Sequence, residues 1–336
     1  MRCFVLVATG LFILPAAADD IEKFYQGRQI QMFVGSAVGS GYDINARAVA
    51  RHYGRHIPGS PSVIVQNQPG AGGLIMTNSL ANTAPKDGTA IGATINGVPT
   101  AHLLQPSAVR FDPTKLNWIG SSNRDLQVLY VWHDVPVHKL EDILTKEVVV
   151  GATTRGTSTV DFPLVANKIL GLRLKIVSGY SGTSQIHKAM ESGEVQGVPA
   201  LAWASLRTLN SDWIANKKIK ILAQWNMPPR DELPDVPSVS SLAKSDIDRA
   251  ALRLLTSRLE AGRPFLAPAN VPADRVAALR QAFDQTMKDP AFLTEATKLN
   301  LDISPMTGQE ITSLVDELSA IPESVIEKVR NALNEK

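Results

Sequence analysis

Near the start of the chain, residues 34–43 read VGSAVGSGYD. An apolar run at 30–34 leads into this glycine-serine segment and apolar residues at helical spacing follow it, so the order predicts a strand, a short loop and a helix start. Small residues let a backbone approach a ligand closely, and helix N-terminal N–H groups with the hydroxyls of Ser36 and Ser40 suit a carboxylate or a phosphate. A connecting turn that binds nothing is the open alternative for this loop taken alone.

The alternation of strand, glycine loop and helix recurs along the chain. Three further loops of this kind follow apolar runs of strand length: NQPGAGG at 67–73, GATTRGTS at 151–158 and SGYSGT at 178–183. Such alternation predicts mostly parallel sheets covered by helices. Open parallel sheets bind ligands at the carboxyl ends of their strands, so two α/β units that face each other would share one cleft.

These patterns divide the chain into an export signal and two domains. The first domain is predicted at residues 19–120 and 253–336 and the second at 121–252, with a crossing strand at 252–256 that returns the chain to the first domain. Amphipathic patterns that begin at Pro272 and at Ile311 predict two helices facing the core. The predicted fold class is therefore α/β, with two domains, each a mostly parallel sheet flanked by helices.

Residues 1–18 have the features of an export signal. Arg2 gives a positive start, residues 3–14 form an apolar run, and Pro15 precedes three alanines that suit cleavage after Ala18. The run is shorter than the roughly 20 apolar residues of a transmembrane helix. The single cysteine, Cys3, lies within this segment, so the exported chain would lack disulfides and depend on its hydrophobic core.

Composition and charge are those of a soluble globular protein. Of the 336 residues, 44% are hydrophobic and 20% are charged, which suits about two domains. Lys plus Arg number 34 and Asp plus Glu number 32, and the basic residues do not cluster with aromatic ones. This balance argues against a nucleic-acid partner.

Motifs for catalysis, phosphate transfer and metal binding are incomplete. Residues 151–158 have the glycine spacing of a P-loop, but Thr157 stands where the lysine belongs, and no Gly-x-Ser-x-Gly elbow occurs. His52 and His56 are four apart on a predicted helix, yet arginines flank them and no nearby carboxylate completes a metal site, so a solvated basic face is expected. Since the loops hold no nucleophile or general base, we predict a binding protein rather than an enzyme, with no metal and no cofactor.

Six short motifs together resemble the solute-binding receptors of tripartite tricarboxylate transporters. Their order and spacing match the family over nearly the whole chain after the signal. The motifs are NQPGAGG at 67–73, similar to NRPGAGG in the family; KDGT at 86–89, similar to PDGYT; GTS at 156–158; YSG at 180–182, similar to YKG; GEVQ at 193–196, similar to GGQVD; and LPDVPSV at 233–239, similar to LPDVPTV.

The resemblance implies a type II periplasmic-binding-protein fold whose two domains close about a hinge on a small carboxylate. It also implies a periplasmic receptor that delivers this ligand to the integral-membrane permease subunits of a tripartite tricarboxylate-type transporter, and we expect a monomer. Carried over position by position, it implies ligand contacts from four loops: Ser36, Ala37, Ser40 and Asp43; Ala71 and Gly72; Thr153, Thr154, Thr157 and Ser158; Tyr180 and Ser181.

The first three loops depart from the pattern of the family. Ser36 and Ser40 replace an aromatic residue and a glycine, Gln68 replaces an arginine, and Arg155 adds a charge to a loop that is normally small and polar. We therefore predict a polar ligand with a second acidic group, which Arg155 would bind in a bidentate manner. The alternative is that Arg155 faces solvent or pairs with a neighbouring acid.

The residues leave two other functions open. A sensor or scavenger of the same fold would bind the ligand without delivering it to a permease, and the sequence of the receptor does not separate these roles. A secreted hydrolase or lyase built on two α/β domains would need an acid, base or nucleophile in the cleft, which the four loops do not supply.

Overall fold

A computed structural model describes residues 16–334. Most of the predicted export signal lies outside these residues, and the first helix begins at Ala16, just before the predicted cleavage point after Ala18. Within the described range, no helix has the length and apolar character needed to span a membrane.

Strands and helices alternate through most of the described chain. The strands are β1 (Gln29–Val34), β2 (Ser62–Asn67), β3 (Ala90–Ala93), β4 (Asn117–Ser121), β5 (Gln127–Trp132), β6 (Val148–Ala152), β7 (Leu174–Ser178), β8 (Gly197–Ala202), β9 (Ile219–Gln224), β10 (Pro264–Ala267) and β11 (Met306–Thr307). The helices are α1 (Ala16–Tyr25), α2 (Gly41–Tyr53), α3 (Leu74–Thr83), α4 (Ala101–Leu104), α5 (Ser158–Leu170), α6 (Thr183–Glu191), α7 (Trp203–Leu209), α8 (Ser211–Ala215), α9 (Asp246–Thr256), α10 (Ala273–Thr286), α11 (Pro290–Lys298), α12 (Gly308–Ser319) and α13 (Glu323–Asn334).

The first sheet has six strands in the order β11-β4-β10-β3-β1-β2. Strand β1 pairs in parallel with β2 and β3, whereas β10 pairs antiparallel with β3 and β4, and β11 with β4. Along β1 the buried residues Ile30, Met32 and Val34 alternate with more exposed ones, as the two-residue period of a strand requires. The segment at 34–43 therefore leaves the carboxyl end of a parallel strand and enters α2.

The second sheet has five strands in the order β7-β6-β8-β5-β9. Strand β6 pairs in parallel with β7 and β8, and β5 pairs antiparallel with β8 and β9. The loops that follow β6 and β7 thus leave neighbouring parallel strands in the same direction, which brings the segments at 151–158 and 178–183 to one edge of the sheet.

Two connecting segments join the sheets. Residues 122–126 run from β4 to β5, and residues 257–263 run from α9 to β10. The segments are hydrogen-bonded to each other, because the backbone N–H of Asp125 donates to the carbonyl oxygen of Leu259 (2.7 Å) and that of Gly262 donates to Asn123 (3.0 Å). Their pairing fixes the position of the side chains that lie between the two sheets.

The largest hydrophobic core is shared by the two α/β units. It contains Trp118 from the first sheet, Phe162 and Trp225 from the second unit, and Ile326 and Val329 from the C-terminal helix α13. Helix α13 packs against α5 and α9 as well as α4, so it contacts elements of both predicted domains. The domain boundaries themselves stay a prediction.

The predicted two-unit α/β fold is confirmed, but the expectation of mostly parallel sheets is wrong, because antiparallel strands complete each sheet and make both of them mixed. Sequence reasoning did not assign β4, β10 and β11 as strands, nor α11 and α13 as helices. The predicted crossing strand at 252–256 is wrong, since these residues end helix α9. Ser245 caps this helix by accepting from the N–H of Asp248, and the buried Ala251, Leu252, Leu254 and Leu255 continue one helical face.

The expected solvated basic face at His52 and His56 is also wrong. Helix α11 lies against α2, so that Glu295 Oε2 is 2.6 Å from His52 Nε2 and Asp289 Oδ2 is 3.0 Å from His56 Nε2. Arg51 also donates to Glu295 (2.7 Å). The acids come from a distant part of the chain, which local sequence cannot reveal. No group of His, Cys, Asp and Glu in residues 16–334 is arranged to hold a metal ion.

Candidate functional site

A cleft of about 760 Å³ lies between the two α/β units. The first turn of α2 and the loops after β2 and β3 contribute to one side, and the loops after β6 and β7 together with the end of β8 contribute to the other. The connecting segments add Asp125, Arg258 and Arg263. The carboxyl ends of parallel strands from both sheets therefore meet at one concave site, as expected for a ligand site in an α/β protein.

The polar side chains of the first loop bind one another. Ser36 is buried, and its Oγ lies 2.7 Å from Oγ of Ser40, which caps helix α2 by accepting from the N–H of Asp43 (3.3 Å). The serine hydroxyls are thereby used to build the loop and to begin the helix. Neither Ser36 nor Ser40 lines the cleft, and the exposed Ala37 does not line it either.

Asp43 holds the first loop in place from inside. Its side chain is 2% exposed and accepts from the N–H of Gly39 (2.8 Å), from Arg47 Nε (2.9 Å) and from Asn67 Nδ2 (2.8 Å). Burial raises the pKa of Asp43, but these hydrogen bonds outweigh burial and leave the pKa below its usual value. The carboxylate is ionised and fully paired, and it lies outside the cleft lining.

The second loop reaches the cleft with its backbone. Ala71 and Gly72 line the space and adopt left-handed backbone conformations, with φ of 46° and 61°. A Cβ at Gly35 would lie 3.1 Å from the Cα of Gly73, so the first and second loops touch through two glycines. This contact leaves little room for a side chain at Gly35, and through it the two loops support each other.

The third loop supplies hydroxyls to the cleft. The Oγ1 atoms of Thr153, Thr157 and Thr159 lie 2.9–3.0 Å from one another, and all three residues line the space. Ser158, the first residue of α5, also lines the cleft, and its hydroxyl has no hydrogen-bond partner in the described part of the chain. The start of α5 thus presents N–H groups and a hydroxyl to one space, an arrangement that suits an anion.

Two charged residues, Asp161 and Arg258, stabilise the third loop. Asp161, in the first turn of α5, accepts from the N–H of Gly156 (3.0 Å) and lies 3.3 Å from Arg258 Nη1. Arg258 also lies over the Phe162 ring, 5.5 Å from its centroid. Because Arg258 belongs to a connecting segment, this ion pair links the third loop to the junction between the sheets.

The fourth loop directs its predicted side chain away from the cleft. The Tyr180 hydroxyl donates to Glu194 (2.6 Å), and burial together with this carboxylate raises the pKa of Tyr180 to about 12. The N–H of Ser181 donates to Gln185 Oε1 (2.9 Å). The next two residues of the loop, Gly182 and Thr183, line the cleft instead.

The predicted site residues thus fall into two groups. Those that line the cleft are Ala71, Gly72, Thr153, Arg155, Thr157 and Ser158. Those that do not are Ser36, Ala37, Ser40, Asp43, Thr154, Tyr180 and Ser181. The second group contains the residues whose side chains or backbone shape the loops.

Sequence reasoning missed cleft residues of the connecting segments, of the strand ends and of the first turns of helices. They include the polar residues Tyr42, Asn96, Asp125, Gln127, Asp161, Arg258 and Arg263. These residues match no recognised motif, and the misassigned strand at 252–256 hid the segment that carries both arginines. A usable signal was present in Arg258 and Arg263 themselves, two cations that directly follow the predicted return to the first domain.

Two α/β units around a cleft lined by hydroxyls, backbone N–H groups and arginines define a solute-binding protein of the periplasmic-binding type. Residues 46–331 match the family described as the tripartite tricarboxylate transporter family receptor, and the chain belongs to that family. Membership confirms the resemblance inferred from the six motifs. It also confirms the prediction of a binding protein rather than an enzyme, because the family consists of receptors.

The chain is similar over most of its length to one curated protein and to solved structures of the same fold. The UPF0065 protein in the gbd 5' region of Cupriavidus necator is 26% identical over 330 residues, which are 96% of this chain and 93% of that protein. A TctC solute-binding protein from Polaromonas, solved without ligand, has a TM-score of 0.71 at 18% identity and covers 90% of this chain and 99% of its own. MatC from Rhodopseudomonas palustris, solved with bound malate, has a TM-score of 0.61 at 19% identity, with 92% and 99% covered.

Proposed function

We propose that this protein is a periplasmic receptor that captures a small carboxylate by hinge closure and delivers it to the permease subunits of a tripartite tricarboxylate-type transporter. The observation that carries the proposal is the composition of the cleft, where Thr157, Ser158, Arg258 and Arg263 line one space. Hydroxyls, helix N-terminal N–H groups and guanidinium groups all stabilise a carboxylate. The malate bound to MatC, which has the same fold, supports this ligand class.

Loops from both sheets line the cleft, so a ligand that contacts both would stabilise the closed arrangement over the open one. We place the hinge in the connecting segments 122–126 and 257–263. This keeps the domain boundary near residue 120 and moves the other from residue 252, which lies inside helix α9, to the end of that helix. A few residues at the ends of elements are enough to absorb such a rotation. Export by the signal at 1–18 would bring the receptor to the periplasm, where it would act as a monomer.

We further propose different roles for the two groups of predicted site residues. The cleft-lining residues of the second and third loops would contact the ligand, mainly through backbone N–H groups and the hydroxyls of Thr157 and Ser158. Ser36, Ser40 and Asp43 would hold the first loop in shape, and Tyr180 would do the same for the fourth loop through its hydrogen bond to Glu194.

A ligand screen on the signal-free protein tests the proposal. The panel comprises mono-, di- and tricarboxylates, with amino acids and neutral sugars as controls, and the melting temperature is the readout. A ligand at 100 times its dissociation constant adds about 2.7 kcal/mol to the free energy of unfolding, so a true ligand raises the melting temperature by several degrees. Small-angle scattering with the best acid should show a smaller radius of gyration.

The outcomes separate the competing functions. Stabilisation by carboxylates alone, with the acid recovered unchanged, supports a receptor. If no acid raises the melting temperature of folded, ligand-free protein, the carboxylate proposal is overturned. Chemical conversion of the acid would favour the hydrolase or lyase. Loss of uptake of that acid in cells lacking the protein, restored by the full chain, distinguishes a transport receptor from a sensor.

A further inference from the structure

Arg263 lies directly before β10 and lines the cleft. Its Cζ is 4.0 Å from the centroid of the Tyr42 ring, and its Nη1 donates to the carbonyl oxygen of Gly262 (3.0 Å). Within residues 16–334 it forms no ion pair with a carboxylate, whereas Arg258 shares its charge with Asp161. The positive charge of Arg263 is therefore available to a ligand.

The Tyr42 ring fixes the orientation of this guanidinium group. A guanidinium group that stacks on an aromatic face keeps the donors along its edges for other partners, and stacking reduces the rotamer freedom that ligand binding would otherwise remove. The Tyr42 hydroxyl accepts from the N–H of Asn96 (3.3 Å), and Tyr42 itself lines the cleft. The pair presents a preoriented cation beside a hydroxyl.

Gln127, the first residue of β5, provides an acceptor without a partner. The residue is 9% exposed, it lines the cleft, and its Oε1 has no hydrogen bond within the described residues. Its backbone is already paired, because its N–H donates to Asn226 Oδ1 (3.1 Å) and its carbonyl oxygen accepts from Trp225 (2.9 Å). A buried acceptor of this kind is stabilised by a donor, which a ligand hydroxyl or amino group would supply.

Other charged groups of the cleft have partners in the protein. Arg155 Nη1 donates to the carbonyl oxygen of Leu333 in the last turn of α13 (2.8 Å). Asp125 Oδ1 accepts from Asn123 Nδ2 (2.7 Å). Both arginines donate to a backbone carbonyl oxygen, but the partner of Arg155 is on a helix outside the cleft lining, whereas Arg263 lies over the Tyr42 ring within the cleft. This difference in position favours Arg263 over Arg155 as the group that binds a second acidic group of the ligand.

Building on the proposed function, we infer that Arg263 and Gln127 form a specificity subsite for the second polar end of the ligand. Arg263 binds a second carboxylate through the edge of its guanidinium group, and Gln127 Oε1 accepts a hydrogen bond from a hydroxyl or amino group of the same ligand. The ligand class is then a small diacid with a hydroxyl or amino substituent.

Three related acids test the subsite by isothermal titration calorimetry. Malate carries both features, α-hydroxybutyrate lacks one carboxylate, and succinate lacks the hydroxyl. Wild-type protein should bind malate more tightly than either analogue. Arg263→Ala should weaken malate about 10- to 100-fold, the range of a lost charged hydrogen bond, and should change α-hydroxybutyrate less than about threefold. Gln127→Leu should weaken malate and leave succinate unchanged.

Two further variants test whether a change in affinity at Arg263 is specific rather than a result of misfolding. Arg263→Lys keeps the charge without the bidentate edge and should retain part of the preference for malate over α-hydroxybutyrate. Arg28→Ala removes an arginine stacked on a ring outside the cleft, 4.4 Å from the Phe24 centroid, and should leave all three affinities unchanged. Circular dichroism and ligand-free melting temperatures verify that each variant is folded.

The results separate this inference from the function on which it rests. If folded wild-type protein binds no acid of the wider panel, the receptor function itself is overturned. If it binds acids but binds malate no better than α-hydroxybutyrate, or if Arg263→Ala and Arg28→Ala behave alike, the subsite is overturned and the receptor stands. A selective loss in Arg263→Ala with Arg155→Ala affecting both acids equally supports Arg263 as the specificity residue.

Discussion

The first loop, 34–43, and the third loop, 151–158, are closed by the same device. In each, a glycine with positive φ donates its N–H to an aspartate in the first turn of the following helix. In the first loop Gly39, with φ of 77°, donates to Asp43 (2.8 Å), and in the third Gly156, with φ of 86°, donates to Asp161 (3.0 Å). Both aspartates are buried and stabilise a helix N-terminus.

The two loops differ in the arginine that neutralises the aspartate. Asp43 pairs with Arg47, one turn along the same helix, so the first loop is complete within its own unit. Asp161 pairs with Arg258, which comes from a connecting segment and lines the cleft. The same local arrangement of glycine, aspartate and arginine therefore stabilises the first loop alone. In the third loop it also connects the loop to the candidate ligand site and to the junction between the sheets.

The largest effect is expected at Asp43. Replacing it with alanine removes an ionised group that is 2% exposed and leaves Gly39 N–H and Asn67 Nδ2 without their acceptor. We expect the free energy of unfolding to fall by about 3 kcal/mol in urea titrations, as for a broken buried pair. Asp112→Ala, which removes an exposed loop carboxylate bonded to Thr114, should cost less than about 1 kcal/mol. Equal losses would mean that Asp43 does not hold its loop.

At Asp161 we expect a smaller loss of stability together with a change in affinity. Asp161 accepts only one short hydrogen bond, from the N–H of Gly156, and its contact with Arg258 is longer (3.3 Å), so Asp161→Ala should cost about 2 kcal/mol in the same titrations. Asp161→Asn keeps an acceptor for the N–H of Gly156 and removes a negative charge beside the cleft, so it should tighten binding of an anionic ligand a few-fold. Asp43→Asn should leave affinity unchanged, and a similar change in both variants would contradict the difference between the loops.

Low pH should reduce the contribution of Asp43 to the free energy of unfolding. Its pKa lies below the usual value in the folded protein, so its stabilisation is present above the unfolded pKa of about 3.9 and is lost as the pH falls through the folded pKa. The difference in unfolding free energy between wild-type protein and Asp43→Asn should therefore be constant from about pH 7 to 5 and narrow below about pH 4. A difference that does not change with pH would exclude the charge of Asp43 as its source.

Sequence patterns predicted the strand-loop-helix units well because local rules govern them. The strands at 127–132 and 219–224 and the helix start at Trp203 lie where apolar periodicity places them. Prediction failed where distant partners decide the structure. Residues 252–256, LRLLT, are a short apolar run of strand length, but they end a helix whose buried face packs against α5 and α13. Strands β10 and β11 join the first sheet only after the chain has completed the second unit, and local sequence patterns do not encode such distant pairing.

For the candidate site, sequence located the loops better than the residues within them. Ser36, Ser40 and Asp43 have the chemistry of ligand contacts. In the structure they are hydrogen-bonded to one another instead, which only their geometry reveals. Arg263 and Gln127 lie outside any glycine loop. They line the cleft because the connecting segments pass between the two sheets. Chemical type alone could not separate a side chain that builds a loop from one that faces a ligand.

The smallest effect is expected at Ser158, which lies in the third loop and has no side-chain hydrogen bond within the described residues. Ser158→Ala should leave the free energy of unfolding within about 0.5 kcal/mol of wild type, since no hydrogen bond of the folded protein is lost. It should weaken a bound carboxylate by about 1 kcal/mol, or roughly fivefold, measured by titration calorimetry. Ser40→Ala, which removes a helix cap outside the cleft, should show the reverse, with lower stability and unchanged affinity. If both serines lowered affinity alike, the first loop would also contact the ligand, and its closed hydrogen-bond network would have to open on binding.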